Sequence, residues 1–483
     1  MLRFVALGIT LLAVAWAVWP TPPHAPPLRL SDGRFPNILL LTIDTLRADH
    51  LGYVESGPND LTPSLDALTN AGTAFLAAST PAPTTRAATA ALLTGAYRGG
   101  HGVRGNGWSL GKRSPVLAEL LGAAGYRTAA FFGNGILAAE YGFGRGFELY
   151  DSFAKFRGRG FSKDEVGVDR ARDWLANAPP EPWFLWVHLM DPHGPYDSAP
   201  PEAREKVARE DPRPETVLEM SKKNTGLGVI PKYQKIQRTN RASVYRWRYR
   251  GEVHHSDAQA GRLLTTLEEL GLAGDTLIVL TADHGEGLGD HDYFFQHGWF
   301  PFEGSVAIPL AFRLPGRVGA GVKLESPVSL VDVTPTVLGG LGLPIPDSMD
   351  GRDLSGALSA SRSIPMREGP VFTASTLLSG MSAVRLGRWK LVHTPPPPAQ
   401  IRPEDPWKSD YATEESFRLY DIDADPGEAA DLSAEHPAEQ ARLRALLAVW
   451  ESEQNLHIGV DRTPPADVDP RLQDMLRSLG YVD

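Results

Sequence analysis

The stretch NILLLTID, residues 37–44, is a run of apolar residues that ends in a carboxylate. A continuous apolar run of this length is typical of a strand buried on both faces of a parallel sheet. Asp44 would then lie at the carboxyl end of the strand, which is the edge where open α/β sheets bind ligands. The stretch therefore predicts an α/β fold with a candidate ligand site at one edge of the sheet.

Further apolar runs alternate with helix-like segments along the chain. The strand-like runs are YRTAAFF (126–132), WFLWVHL (183–189) and TLIVLT (276–281), and the helix-like segments are 114–124, 164–176 and 251–270. Strands that alternate with helices predict a central, mostly parallel sheet between helices. The polar segment 202–250 ends in the basic run RTNRASVYRWRYR; we interpret it as a solvated helix, with attraction of an anionic substrate as the weaker alternative.

The two ends of the chain differ from its central part. Residues 1–19 are mostly apolar and predict either a cleaved signal peptide or a short N-terminal membrane anchor, and the Pro-rich residues 20–35 predict an extended linker. Either interpretation places the main domain, residues 36–360, outside the cytoplasm, in the periplasm or secreted. Within 361–483, MSAVRLGRWKLVHT and FRLYDI predict antiparallel strands and 436–454 an amphipathic helix, which together form a small C-terminal α+β subdomain.

The composition limits the chemistry that the chain can perform. Of its 483 residues, 42% are hydrophobic and 22% are charged, as in a globular protein. The net charge of −10 argues against nucleic-acid binding. The sequence contains no cysteine, which excludes disulfides, thiolate metal sites and cysteine nucleophiles.

Three segments place acids or imidazoles where predicted strands end. A single aspartate in such a place is often only a turn or cap residue. Three strands that bring such groups to one edge indicate a metal site, because unpaired charges are costly to bury. The segments are TIDTLRADHLG with Asp44, HLMDPHGPY with His188, Asp191 and His193, and TADHGEGLGDHD with Asp283 and His284.

These motifs, taken together and in this order, resemble the sulfatase family of the alkaline phosphatase superfamily. The resemblance also covers the LLTG ending of 84–95, the stretch HGWFPFEGSVAIPLAFRLPG, and WKLVHT with LYDIDADPGE, so it extends from about residue 37 to about residue 432. It implies an alkaline-phosphatase-like fold with a mostly parallel sheet between helices and a small C-terminal sheet subdomain. It also implies a metal-dependent hydrolase of sulfate or phosphate esters.

The resemblance implies a divalent metal on Asp44, Asp283 and His284. In the family the first strand ends in two metal-binding aspartates, whereas this chain has Asp44 followed by Thr45. The later pair is usually Asp-Asn in calcium sulfatases, but Asp283-His284 is the pair usual in phosphatase-type and diesterase-type relatives. Replacing an oxygen ligand by imidazole favours zinc or manganese, with calcium or magnesium as alternatives.

The stretch TTRAATAALLTG, residues 84–95, stands where sulfatases carry Cys-X-Pro-Ser-Arg and then Leu-Thr-Gly. The family converts that cysteine to formylglycine, and counting back from LLTG places it at Thr85, which cannot be converted. Phosphodiesterases and phosphatases of the superfamily use an unmodified Thr or Ser, so the resemblance implies that Thr85 is the nucleophile. A helix cap is the alternative role, and Thr84 is the alternative residue.

The resemblance implies roles for four further residues. His193 matches the family's PH motif and is predicted to contact the ester or its leaving group, although a packed turn histidine is the alternative. His297 stands where sulfatases have a lysine and phosphatase-like relatives a metal-binding histidine, and it is predicted to be catalytic. Arg86 is predicted to hold a substrate oxygen, although the family's own arginine position is Thr89. Asn106 is predicted to contact an oxyanion, with a turn residue as the alternative.

Three functions follow from these residues. The first is a metal-dependent hydrolase that cleaves a small-molecule, glycan or lipid ester of phosphate or sulfate through Thr85. The second is a transferase in which an alcohol replaces water in the second half of the reaction. The third is an inactive binding protein, which the departures at Thr45 and Thr89 favour and the clustered charges at Asp44, Asp283 and His284 disfavour.

Overall fold

The computed structural model describes residues 28–54, 60–152, 163–209, 211–222, 224–236, 239–360, 368–376, 380–396 and 415–456. The predicted signal peptide or anchor, residues 1–19, lies outside the described residues, as does the first half of the predicted linker, residues 20–27. Within the described ranges, no helix is both long enough and apolar enough to cross a membrane. Localisation outside the cytoplasm therefore stays a prediction.

An eight-stranded sheet forms the centre of the molecule. In chain order its strands are β1 (Asn37–Ile43), β2 (Thr73–Phe75), β3 (Arg127–Phe132), β4 (Leu149–Ser152), β5 (Trp183–Leu189), β6 (Thr276–Ala282), β7 (Leu310–Arg313) and β8 (Val322–Leu324). Across the sheet they lie in the order β8-β2-β7-β6-β1-β5-β3-β4. All neighbours are parallel except that β7 runs antiparallel to β2 and to β6, so the predicted mostly parallel sheet is confirmed.

The central strand β1 decides where the site forms. All seven of its residues are buried, as its unbroken apolar sequence predicts. It pairs in parallel with β5 and β6, and Thr42 lies opposite both His188 and Thr281. Because the three strands are parallel and in register, their carboxyl ends meet at one edge of the sheet. Asp44 and Asp283, which follow β1 and β6, are therefore neighbours.

Helices cover both faces of the sheet. Helices α1, α4 and α5 pack together on one side, and α2, α3 and α6 on the other. This arrangement confirms the predicted α/β fold with a sheet between helices. The longer helices of this layer are α1 (Pro63–Asn70), α2 (Thr85–Thr94), α3 (Leu117–Ala123), α4 (Lys163–Ala176), α5 (Ala242–Glu269) and α6 (Val333–Leu341).

Helix α2 carries the predicted nucleophile at its first residue. Every residue from Thr85 to Thr94 is buried, and the many alanines allow the helix to pack closely on the sheet. The helix ends at Gly95, whose φ of 63° is left-handed and suits glycine. The Thr84 side chain makes no capping bond; Asn106 Oδ1 instead accepts the N–H of Arg86 at 3.0 Å. A loop beyond the helix therefore holds its first turn.

The predicted solvated helix before residue 250 is wrong in part. Helix α5 extends from Ala242 to Glu269, across residue 250, and Tyr245, Arg246 and Tyr249 on it are buried. Arg246 forms an ion pair with Asp211. The basic run therefore lies partly inside the protein. The sequence pattern predicted that Arg246 is exposed to solvent, but the carboxylate of Asp211 neutralises its charge and allows it to be buried.

The C-terminal part forms a separate antiparallel sheet, as predicted. Its strands are β9 (Val371–Ala374), β10 (Ser382–Leu386), β11 (Trp389–Thr394) and β12 (Ser416–Asp421), in that order across the sheet. Helix α7 (Pro437–Leu456) packs on this sheet and contributes Leu443, Leu447 and Trp450 to a shared apolar core. The exact boundary at residues 360–361 stays a prediction.

A buried ion cluster joins the C-terminal sheet to the main domain. Lys390 on β11 is 2% exposed, and its Nζ lies 2.6 Å from Glu303 Oε1 and 2.9 Å from Glu428 Oε1. Burial raises the pKa of Glu428 to about 7, with Lys390 acting against it and Glu303 adding to it. The positive charge of Lys390 thus offsets the cost of burying two neighbouring carboxylates in a low-dielectric environment.

Lys390→Met is expected to lower the free energy of unfolding by about 3–5 kcal/mol, because it leaves Glu428 buried without its cation and leaves Glu303 with Arg385 alone, whose Nη1 lies 3.4 Å from Glu303 Oε2. Urea unfolding followed by tryptophan fluorescence measures this loss. Lys112→Met is the control, since Lys112 is exposed and its replacement should change stability by less than about 0.5 kcal/mol. Equal effects of the two substitutions would contradict a stabilising role for the cluster.

Candidate active site

Asp44 and Asp283 form the floor of the site, and each carboxylate uses one oxygen for the protein. Asp44 Oδ2 accepts a hydrogen bond from Asn134 Nδ2 at 3.0 Å. Asp283 Oδ1 accepts the backbone N–H groups of His284 at 2.8 Å and Thr45 at 3.2 Å. The other two oxygens, Asp44 Oδ1 and Asp283 Oδ2, are fully buried and accept no hydrogen bond from a described residue. Two buried carboxylate oxygens without hydrogen bonds are candidate metal ligands.

His284 points a nitrogen at these two oxygens. Its Nδ1 lies 2.9 Å from the carbonyl oxygen of Gly285, to which it donates, so in the neutral ring Nε2 carries the lone pair. Nε2 lies 3.4 Å from Asp283 Oδ2 and 3.9 Å from Asp44 Oδ1. The structure thus brings together the three side chains for which the resemblance implied a metal.

Thr85 completes this group. Its Oγ1 lies 3.3 Å from His284 Nε2, and the side chain is fully buried. The neighbouring Thr84 is also buried, but its Oγ1 makes no hydrogen bond with the described part of the chain. Of the two threonines, Thr85 is therefore the one that the structure links to the Asp-His pair.

Thr45, which stands at the second aspartate position of the family, has an unusual backbone. Its φ is 55°, a left-handed conformation that β-branched residues rarely adopt. Its N–H bonds Asp283 Oδ1, and its carbonyl oxygen accepts the hydroxyl of Tyr249 at 2.7 Å. The backbone of Thr45 therefore holds Asp283, although its side chain has lost the carboxylate of the family.

His188 also lies close to the two carboxylates, although the implied ligand set of Asp44, Asp283 and His284 does not include it. Ligand atoms of Asp44, His188 and Asp283 lie within 4.8 Å of one another. The Nε2 of His188 is 3.5 Å from Asp44 Oδ2, and its Nδ1 is 2.8 Å from the hydroxyl of Thr42. The sequence placed His188 at a strand end but gave it no role.

Two further residues of the site were missed from the sequence. Asn134, which bonds Asp44, lies two residues after the end of β3, so the strand-end rule that found Asp44 also applied to it. Glu286, two residues after His284, is fully buried; its Oε2 accepts the hydroxyl of Tyr196 at 3.1 Å and its Oε1 lies 3.2 Å from His297 Nδ1. Its motif was quoted, but nothing local marks Glu286 as buried.

The predicted catalytic histidines lie beside this cluster. The ring of His297 is 4.3 Å from the ring of His284 and 5.1 Å from that of His193, measured between centroids. Glu286 holds Nδ1 of His297, and the carbonyl oxygen of Gly194 lies 2.7 Å from Nδ1 of His193. Both rings are thus held in fixed orientations within the site.

The protein itself binds much of the Arg86 guanidinium. Its Nε donates to the carbonyl oxygen of Ile136 at 2.5 Å and its Nη1 to that of Trp108 at 3.2 Å. The guanidinium also lies over the ring of Tyr141, 3.6 Å from the centroid. Its Nη2 is buried and donates to no described residue, so the substrate contact of Arg86 stays a prediction. Asn106 uses Oδ1 to cap the Arg86 N–H, so only its amide nitrogen is left for the predicted oxyanion contact.

The charges of the site oppose one another. Burial acts to raise the pKa of Asp44, but the imidazoles of His193, His188 and His284 outweigh it and lower that pKa. Burial and the charge of Asp44 raise the pKa of Asp283 to about 6. The pKa of one carboxylate is thus lowered and that of its neighbour raised, because two adjacent buried negative charges repel each other. A bound cation would reduce this repulsion.

The residues present fit a divalent metal ion. The two orphaned carboxylate oxygens and the Nε2 of His284 converge, are buried, and offer two hard oxygen donors and one imidazole nitrogen. The backbone bonds to Asp283 and the Asn134 bond to Asp44 supply the outer contacts that orient ligands.

Comparison with known proteins agrees with this geometry. The sulfatase family model matches residues 36–343. An arylsulfatase of Clostridium perfringens is 28% identical over 385 residues, covering 66% of this chain and 77% of that protein. A choline-sulfatase of Rhizobium meliloti is 25% identical, covering 86% and 87%.

Solved structures of similar fold include a phosphonate monoester hydrolase and a protein in complex with a sulfated sugar. The phosphonate monoester hydrolase of Agrobacterium radiobacter is similar over 87% of this chain and 96% of its own, with a TM-score of 0.67 and 22% identity. A protein described as BT4656, in complex with D-glucosamine-2-N,6-O-disulfate, is similar over 90% of this chain, with a TM-score of 0.68 and 19% identity. At such identities the likeness shows the fold. With the family model matching more than half of the chain, this protein belongs to the sulfatase family and is a sulfatase-like, metal-dependent hydrolase of anionic esters.

Proposed function

We propose that this protein hydrolyses phosphate or phosphonate esters, with Thr85 as the nucleophile. One observation carries the proposal: the buried hydroxyl of Thr85 lies 3.3 Å from His284 Nε2, beside two orphaned carboxylate oxygens. The motif resemblance, counted back from LLTG, equates this residue with the modified cysteine of the family. A cap alone does not account for this placement, because Thr84 occupies the cap position and Asn106 holds the first turn.

Asp44, Asp283 and His284 would hold the metal, for which we propose zinc or manganese. When bound, the metal supplies stabilisation of negative charge on the ester oxygens and a lower pKa for a hydroxyl at the site. The first turn of α2 adds positive potential from its aligned peptide dipoles. The Thr85 hydroxyl is thus surrounded by groups that favour its ionised form.

The reaction that fits these residues has two displacements. Thr85 Oγ1, having lost its proton, attacks phosphorus, and the bond from phosphorus to the alcohol oxygen breaks; the alcohol departs with a proton from the site. Water then attacks the phosphorus of the threonyl ester, which releases the phosphate or phosphonate and returns the proton to Thr85. His193, His297 and the amide nitrogen of Asn106 are the proposed contacts of the ester oxygens.

The nucleophile argues for phosphorus rather than sulfur. The geminal diol of formylglycine expels sulfate by collapsing to an aldehyde, and threonine has no second hydroxyl on Cβ for that route. A sulfated threonine would instead need slow attack of water at sulfur. The imidazole of His284, in place of the family's amide, points the same way, because the resemblance associates it with phosphate-processing relatives.

A substrate panel tests this preference. The zinc- or manganese-loaded protein is expected to show kcat/KM for an aryl phosphate, aryl phosphonate or phosphodiester at least about a hundredfold above that for the matched aryl sulfate. Efficient turnover of the aryl sulfate, with the phosphorus esters inert, would overturn the substrate assignment. Failure to bind any divalent metal, measured by metal analysis after dialysis, would favour the inactive binding protein instead.

A further inference from the structure

One hydroxyl on helix α5 bridges two backbone groups of the turn that follows β1. The hydroxyl of Tyr249 donates to the carbonyl oxygen of Thr45 at 2.7 Å and accepts the N–H of Arg47 at 3.2 Å. A carbonyl oxygen only accepts and an N–H only donates, so the single proton of the phenol has a defined direction. Tyr249 is fully buried, and it supports this turn from 202 positions further along the chain.

The turn needs such support because one of its residues has a strained backbone. Thr45 has a φ of 55°, where the Cβ of an L-residue crowds the neighbouring peptide, and a β-branched side chain makes the crowding worse. A residue keeps such a conformation only where the surrounding structure holds it. The two bonds of the Tyr249 hydroxyl lie on the carbonyl oxygen of Thr45 itself and on the N–H two residues later. They therefore oppose the relaxation of Thr45 to an extended conformation.

The strained residue orients a candidate metal ligand. The N–H of Thr45 donates to Asp283 Oδ1 at 3.2 Å, while Oδ2 of the same carboxylate is the orphaned oxygen. The direction of an N–H follows the backbone angles on either side of it, so relaxation of Thr45 would weaken this bond. His284 would then be left as the backbone donor to Oδ1, and the carboxylate would be freer to rotate.

The Tyr249 ring is itself fixed. It packs edge-on against the rings of His50 and Tyr196, with centroids 5.0 Å and 5.6 Å away. The turn is also joined to the loop after β6, because Nη1 of Arg47 donates to the carbonyl oxygen of Glu286 at 3.0 Å. The hydroxyl is therefore a rigid donor that holds the turn in place against the loop that carries the candidate ligands.

We propose that Tyr249 is a positioning residue of the metal site, which acts on Asp283 through the backbone of Thr45. With Oδ1 held by two backbone N–H groups, Asp283 keeps Oδ2 for the metal. The inference rests on the metal site of the proposed function. It also gives a role to the run RTNRASVYRWRYR, in which Tyr249 serves the site by a hydrogen bond and not by charge.

Metal affinity tests the proposal. Tyr249→Phe removes the hydroxyl and keeps the ring, and we expect it to raise the zinc Kd, measured by competition with a chelator, about tenfold to a hundredfold. The matched control is Tyr245→Phe. Tyr245 lies one turn earlier on α5 and is also fully buried, and its hydroxyl accepts the N–H of Ile236 at 3.1 Å. Its zinc Kd should match that of wild type. An unchanged Kd in Tyr249→Phe, or an equal increase in both variants, would overturn the proposal.

Restoring the donor gives a sharper test than removing it. Incorporation of 4-aminophenylalanine at position 249 places an N–H donor where the phenol hydroxyl was, on a ring of the same shape. We expect the zinc Kd to return most of the way to the wild-type value, because the bond to the carbonyl oxygen of Thr45 is made again. A Kd as weak as that of Tyr249→Phe would show that the donated bond does not orient the ligand.

The turn also gives a readout that needs no metal. In metal-free protein, hydrogen exchange of the segment 44–50, followed by mass spectrometry, should be faster in Tyr249→Phe than in wild type and unchanged in Tyr245→Phe. Equal exchange in Tyr249→Phe and wild type would overturn the hold of Tyr249 on the turn. If wild type binds no zinc, the proposed function fails, whereas the exchange of this segment still confirms or overturns that hold.

Discussion

Thr85→Ala is expected to lower kcat for an aryl phosphate at least about a thousandfold, because it removes the atom that attacks phosphorus. Thr85→Ser keeps the hydroxyl and should retain a measurable part of the activity. The loss should appear in kcat with equal metal content and an unchanged circular dichroism spectrum. Acid quenching of wild type during turnover should also trap one phosphoryl group on the peptide that contains Thr85, and the alanine variant should not carry it.

The neighbouring residue supplies the control. Thr84 is buried beside Thr85, but its hydroxyl makes no hydrogen bond with the described part of the chain, so Thr84→Ala should change kcat by less than about fivefold. If Thr84→Ala were the inactive variant and Thr85→Ala retained full activity, the register of the nucleophile would be wrong by one residue. Full activity in both variants would show that neither threonine is the nucleophile.

Asp283→Asn is expected to abolish tight metal binding and to lower kcat/KM at least about a thousandfold. The amide oxygen of asparagine can still accept the N–H groups of Thr45 and His284 that bond Oδ1 now, so the local backbone should be kept. The amide nitrogen would replace Oδ2, which removes both the charge and the lone pairs that a metal needs. Metal analysis after dialysis and steady-state kinetics measure the two losses.

The same substitution should leave the metal-free protein at least as stable as wild type. Asp283 is buried next to Asp44. Burial is the largest cause of its raised pKa, and repulsion by the charge of Asp44 is the second. A neutral side chain at position 283 removes both of these unfavourable contributions to the stability of the metal-free protein. Asp257→Asn is the control, because Asp257 is also buried and accepts two backbone N–H groups, those of Ser64 and Leu65. Normal metal content in Asp283→Asn, or equal metal loss in Asp257→Asn, would contradict the assignment of Asp283 as a ligand.

The sequence was sufficient where the physics is local. NILLLTID predicts a doubly buried strand because its apolar run leaves no face for solvent, and the strand is β1 with all its residues buried. The alternation of strands and helices predicted the layers of the main domain, and the two hairpin-like segments after residue 380 predicted the antiparallel C-terminal sheet. The motifs were sufficient to indicate the family, because their order along the chain is as specific as their letters.

The contacts within the site were beyond the sequence. Asn134 and Asp44 are 90 positions apart, and Thr42 and His188 are 146 apart; a hydrogen bond between them depends on parallel strand register and on rotamers. Arg86 shows the same limit. Its position next to Thr85 in the sequence gives no sign that two backbone carbonyls and the ring of Tyr141 bind its guanidinium, with Nη2 left for the predicted substrate contact.

By itself, then, the sequence determined which strands end in carboxylates and imidazoles and indicated the family, because strand burial and motif spacing are properties of short segments. Only the tertiary structure decided which nitrogen of His284 faces the carboxylates, and which oxygens of Asp44 and Asp283 are left for a metal. The physical reason is that a proton's position on an imidazole is set by the partner of the other nitrogen, and for His284 that partner, Gly285, is defined by folding.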